Sequence, residues 1–251
     1  MTIQFERCYQ KAGAILGPTA EPLSVATVVE NHRRYWRPKS VHTVLLAESH
    51  VYTNPNECVA MRGRTLIHPC DTPESFVRLV YCLGYGEPDY VGRSVAPNSG
   101  TWQYWKIFSS CVTPPSNESF APLLKTRNRT YASRIKAKVA LLERLRSRGV
   151  WLVDASILAL YRPGGARTGR RVCEHVLACC WDNYIGHVLQ ECRPRSIIVI
   201  GHNVARALTG RLDEITRGHH TVVSQPQAHV RSEEGRGIHE TYFRVCNAQP
   251  L

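Results

Sequence analysis

The ten cysteines of this 251-residue chain include no Cys-x-x-Cys pair, and His219-His220 has no companions at ligand spacing. No metal site and no iron–sulfur cluster are therefore expected. Cys173, Cys179, Cys180 and Cys192 fall in a largely apolar stretch, where a free thiol packs as a small hydrophobe. Reduced structural thiols in a reducing compartment follow. Long apolar runs are also missing: none reaches bilayer length, and Met1–Arg7 lacks the charged-then-apolar layout of a secretion signal. The expectation is a cytoplasmic protein with no membrane partner. There is no internal repeat and no low-complexity tract. Acidic residues are scarce, 20 Asp+Glu against 32 Lys+Arg, for a formal charge of +12. That imbalance favours a polyanionic partner, nucleic acid first and an anionic membrane surface second.

What is present reads as one α/β domain over residues 1–251. Residues 1–40 form a helical, partly irregular N-terminal segment ending in the basic-aromatic run His32–Lys39. Branched apolar runs predict strands at Val41–Ala47, Val150–Ala155, Ser196–Gly201 and His220–Ser224, with a terminal strand at Glu240–Cys246. Helices are predicted at Pro73–Leu83, Arg129–Arg148, Cys173–Cys192 and His202–Leu212. Residues 84–122, rich in Gly, Pro, Asn and aromatics, read as a long irregular section. Strands alternating with helices imply a mainly parallel, four-stranded central sheet flanked by helices, a three-layer α/β fold. The helix Arg129–Arg148 carries Arg134, Lys136, Lys138, Arg144, Arg146 and Arg148 against the single acid Glu143. Such a one-sided run is either a solvated face or a phosphate-facing one.

Candidate chemistry begins at Val44-Leu45-Leu46-Ala47-Glu48-Ser49-His50-Val51-Tyr52, where an apolar strand ends in a carboxylate, a hydroxyl, an imidazole and a phenol. Open parallel sheets bind ligands at the carboxyl ends of their strands. A carboxylate there can orient a water or stabilise a developing cation. The alternative is a solvated strand end.

Other strand ends resemble, in order, those of the uracil-DNA glycosylase superfamily. Ala47-Glu48-Ser49-His50-Val51 sits where that family has its catalytic loop. Val153-Asp154-Ala155-Ser156-Ile157-Leu158 is similar to its base-reading segment, and Tyr161-Arg162-Pro163-Gly164 to the Arg-Pro that follows. Ile200-Gly201-His202-Asn203 resembles its late strand-to-helix turn, and Gln225-Pro226-Gln227-Ala228-His229-Val230-Arg231 its minor-groove loop. Asn98–Phe108 is similar to an Asn-aromatic-Trp-Lys run of one branch. The match spans residues 41–231, with residues 232–251 as a C-terminal strand and tail.

The resemblance implies a monofunctional DNA glycosylase, monomeric and without cofactor, that flips a nucleotide and hydrolyses its N-glycosidic bond. Glu48 would position the water. The family's leaving-group histidine is replaced by Gln225, so His229 or His50 would supply that role. Tyr52, Asn98, Trp102, Asp154 and Ser156 would surround the base, with Tyr104 as a further stacking ring. Arg162, Arg167, Arg170, Arg171 and Arg231 would hold the DNA backbone. Asp154 stands where the family has Asn; a carboxylate only accepts hydrogen bonds and suits the N4 amino group of a cytosine rather than uracil O4. A modified cytosine follows, such as the glucosylated hydroxymethylcytosine that anti-phage members of the superfamily remove. The competing readings are a nucleic-acid-binding protein that has lost catalysis, and a metal-dependent nuclease with Glu48 and Asp154 as ligands.

Overall fold

The computed structural model describes residues 2–61, 71–92, 101–162, 167–216, 220–225 and 233–248. Four runs of branched apolar residues make its sheet: β1 (Thr43–Ala47), β2 (Val150–Asp154), β3 (Ser196–Ile200) and β4 (His220–Val223). All pairings are parallel, in the order β2-β1-β3-β4. Every residue of β1 and β2 is buried, so both faces of the sheet are covered. This is why the strands read as unbroken apolar runs rather than alternating ones.

Helices supply the covering layers, giving a three-layer α/β fold. In chain order they are α1 (Ile3–Leu16), α2 (Leu23–Tyr35), α3 (Pro88–Val91), α4 (Thr101–Val112), α5 (Asn117–Phe120), α6 (Tyr131–Ser147), α7 (Arg170–Cys180), α8 (Gly186–Cys192), α9 (His202–Ala207), α10 (Arg211–Thr216) and α11 (Glu233–Cys246). One packed group is α4, α6 and α11; another is α1, α7 and α9. Helix α1 starts where Thr2 Oγ1 accepts from Phe5 N, and it buries Phe5, Cys8, Ala12 and Leu16 at helical spacing. A π turn at Trp181–Ile185 joins α7 to α8, and Gly186 sits beneath Trp181, whose carbonyl a Cβ would meet at 2.8 Å. Nine described cysteines are all free thiols. Among the described residues no helix is long and apolar enough to cross a membrane.

Several expectations are corrected. Pro73–Leu83 forms no helix: Phe76 N bonds Val59 O and Met61 N bonds Glu74 O, while Phe76, Val77 and Leu79–Leu83 are buried without helical period. The terminal strand is instead the end of α11, because Ile238, Tyr242, Val245 and Cys246 form a helical stripe against the core. That packing overrides the β propensity of Thr241-Tyr242-Phe243. The helix expected at His202–Leu212 breaks into α9 and α10, with Gly210 at φ 80° between them. Within the section read as irregular, Thr101–Val112 is helical. On α6, two cations of the supposed solvent or phosphate face turn inward. Arg134 Nη2 lies 2.5 Å and Lys138 Nζ 2.8 Å from the buried carboxylate of Glu87.

Candidate active site

β1 and β2 end in register at Ala47 and Asp154, and their exit loops continue side by side. Ser156 N donates to Glu48 O at 3.0 Å, Leu160 N to Ser49 Oγ at 3.1 Å, and Tyr52 N to Tyr161 O at 2.8 Å. The loop after β2 thus delivers the phenol of Tyr161 to the carboxylate at the end of β1. Tyr161 donates its hydroxyl to Glu48 Oε2, and the Arg167 guanidinium donates to Oε1. An antiparallel bridge sets Arg167 opposite Tyr161, and its guanidinium lies 5.5 Å from the centre of that ring.

Glu48 is 6 % exposed, whereas the Arg167 side chain is 36 % exposed, so the pair has a wet and a dry end. Burial, followed by the acceptor Glu48, pushes the Tyr161 phenol above its ordinary value. Burial also raises Tyr104, with Asp154, Tyr161 and Glu48 close enough to disfavour its phenolate further. Glu48, Tyr161 and Arg167 therefore form one cluster at the carboxyl edge of the sheet.

Beneath it lies a buried chain of alternating charge. Arg33 Nη2 donates to Asp154 Oδ2 at 3.0 Å and Arg33 Nη1 to Glu30 at 2.6 Å. His50 Nδ1 stands 3.7 Å from Asp154 Oδ2, an ion-pair distance rather than a hydrogen bond. Its Nε2 lies 2.6 Å from Glu21 Oε1, which also accepts from Ala159 N at 3.0 Å. Burial works against the imidazolium, but Glu21 and Asp154 outweigh it and raise His50 to about 9. For Asp154 burial works against the carboxylate, and His50 and Arg33 outweigh it to hold the group below its usual range.

The candidate residues separate accordingly. Glu48 and Arg167 meet directly, and Tyr52 is half-buried on the backbone beside Tyr161. His50 and Asp154 belong to the buried charge chain. Ser156 is fully buried and accepts from Leu158 N at 3.1 Å, a turn-holding contact. Half-buried Trp102 lies 4.5 Å under Lys106 Nζ. Gln225 is exposed after β4, and a Cβ on Gly201 would lie 3.9 Å from its Cβ. Arg162, Arg170 and Arg171 are exposed, and an open cleft of about 620 Å³ is lined by Gly169, Arg170, Arg171, Val172 and Glu174. Asn98, His229 and Arg231 lie outside the described residues.

Among the described residues no three His, Cys, Asp or Glu side chains converge as a metal site. The two acids that would serve a nuclease each face an arginine instead.

Sequence reasoning passed over the phenol of Tyr161 and the roles of Glu21 and Arg33. For Arg33 a signal existed. It continues the buried stripe Val25, Ala26, Val29, Glu30 of α2, where a cation requires a buried anion. Compared with protein-family models, with curated proteins and with solved structures, the chain matches none significantly.

Proposed function

We propose that the chain is a monofunctional DNA glycosylase that hydrolyses the N-glycosidic bond of a flipped pyrimidine. The observation that carries this reading is the nearly buried carboxylate of Glu48 at the carboxyl end of β1, clasped by Tyr161 and Arg167. Base loss builds positive charge on the sugar, which a fixed carboxylate stabilises better than water does. Each oxygen of Glu48 spends one lone pair on its protein donor and retains another for the attacking water. Tyr104 and Tyr52 offer rings for the extruded base, and Arg162, Arg170 and Arg171 are available to phosphates. Preference for a cytosine derivative rests on Asp154, whose Oδ2 already accepts from Arg33.

The test is mass spectrometry of bases freed from DNAs carrying uracil, cytosine, hydroxymethylcytosine or its glucosylated form. A released base and an alkali-labile site, both lost in Glu48→Gln, support the reading. Retention of DNA with no product from any substrate sinks it in favour of a binding protein. That second reading is favoured by one observation: both oxygens of Glu48 already accept hydrogen bonds within the protein.

A further inference from the structure

The amino edge of the sheet, opposite Glu48, is strongly basic. Three segments converge there: the approach to β1, the turn before β2 and the turn before β3. His42 N donates to Gly149 O at 2.7 Å, and Arg195 N donates to His42 O at 2.8 Å. Residues 36–42, 146–149 and 192–196, which include these turns, contain Arg37, Lys39, Arg146, Arg148, Arg193 and Arg195 and no Asp or Glu.

Lys39, Arg148, Arg193 and Arg195 are exposed. Among the described residues none of the six forms an ion pair with a carboxylate. Arg37 lies 5.4 Å from the Trp151 ring and 3.1 Å from Cys192 Sγ, Arg146 lies 5.7 Å from the Tyr35 ring, and Arg148 donates to Asn247 Oδ1 at 2.7 Å. Aromatic faces and neutral acceptors hold these cations in place without cancelling their charge. By contrast, Arg33, Arg134, Lys138, Arg167, Arg170, Arg206 and Arg211 all have carboxylate partners.

Arg193 adds an independent sign. It closes α8 in the left-handed region at φ 47°, the only non-glycine positive φ among the described residues. Glycine is the usual occupant of that position, and an L side chain is disfavoured there. Helix termination alone therefore does not call for arginine; the exposed guanidinium is a reason to keep it.

We infer that this amino edge binds the phosphodiester backbone of a DNA duplex, separately from the Glu48 edge. A five-residue strand, about 16 Å long, separates the two edges, so they face opposite ends of the sheet. One protein can then hold two duplex segments. Arginines without a carboxylate partner suit phosphate oxygens, and each neutralised phosphate releases counterions.

The experiment compares the full chain with a variant carrying Lys39→Gln, Arg148→Gln, Arg193→Gly and Arg195→Gln. Long-duplex affinity is measured against salt, and bridging is measured by energy transfer between two labelled duplexes. The expected result is a log–log salt slope shallower by about three to four, with bridging lost. Base release from a short duplex remains at the wild-type level. An unchanged slope with bridging intact overturns the inference. So does capture of phosphatidylserine vesicles in place of DNA. Arg193→Gly alone keeps the fold testable: its melting temperature should match or exceed wild type while bridging weakens, and full bridging in a stable Arg193→Gly protein removes Arg193 from the surface. Bridging rests on the proposed binding of DNA at the Glu48 edge, whereas the salt slope does not; a missing glycosylase activity or a wild type that fails to bridge would therefore leave the slope result standing.

Discussion

His50 Nε2 stands 2.6 Å from Glu21 Oε1, with both side chains withdrawn from solvent. Through this contact and the bond from Ala159 N, one carboxylate from the α1–α2 connection clasps the loops that leave β1 and β2. Those loops carry Glu48 and Tyr161, so the clasp sets the geometry of the candidate site from below. It is a buried charge network, and such networks hold a shape firmly only while every member keeps its charge.

That dependence gives a pH signature. The His50 pKa is raised in the fold from the ordinary 6.5 to about 9, so the folded state binds the proton more tightly than the unfolded one. Its contribution is complete below about pH 6.5 and is lost as pH rises through about 9; the limit is roughly 3 kcal/mol. Urea unfolding followed from neutral to alkaline pH should show this decline in the wild type. His50→Gln, less stable at neutral pH, should show a flatter alkaline arm. Parallel arms would remove His50 from the linkage.

A second buried cluster predicts a large loss. Glu87 is the carboxylate partner of both Arg134 and Lys138, and all three side chains are almost fully buried. Glu87→Gln strands two cations in the interior and should cost about 3–5 kcal/mol in chemical denaturation. A cost below 1 kcal/mol would mean that water reaches the cluster.

Glu48→Gln should behave differently. Its partner Arg167 is exposed enough to solvate on its own, so the substitution should change stability by about 1 kcal/mol or less while lowering base release roughly 100-fold or more. Tyr161→Phe, which removes only the hydroxyl donor to Oε2, should fall between wild type and Glu48→Gln in the rate of base release. Full base release in Glu48→Gln would eliminate the proposed chemistry.

Gly149 offers a backbone test. Its φ is +71°, and a Cβ there would lie 2.7 Å from Ser40 O and 2.8 Å from His42 Cγ. Gly149→Ala combines a left-handed penalty with a backbone clash and should destabilise by about 2–4 kcal/mol, read from the unfolding midpoint. A neutral outcome would require the turn before β2 to relax.

Much of the scaffold was legible because its signals are local. β1 to β4 stand out as short branched apolar runs, and α6 and the α7–α8 column as periodic ones. Glu48 was legible because a carboxylate directly after a buried strand has few places to go. Lys136 and Arg144 of α6, and Arg148 at its end, are exposed as expected, but Arg134 and Lys138 were misread for the opposite reason: Glu87 lies 47 residues from Arg134, and no local pattern announces that partner. The end of α11 was misread because its residues favour strands locally, whereas Ile238, Tyr242 and Cys246 meet the core only as a helix.

By itself, then, the sequence determined the class of fold, the parallel character of the sheet and the location of its carboxyl edge, since each follows from apolar periodicity and from where it stops. Only the tertiary structure decided which charges meet. Arg33 finds Asp154 across 121 residues, Arg167 finds Glu48 across 119, and the turns at the opposite edge carry six cations that have no carboxylate partner among the described residues. Electrostatic partners are chosen by distance in space and by burial, and neither is encoded by separation along the chain.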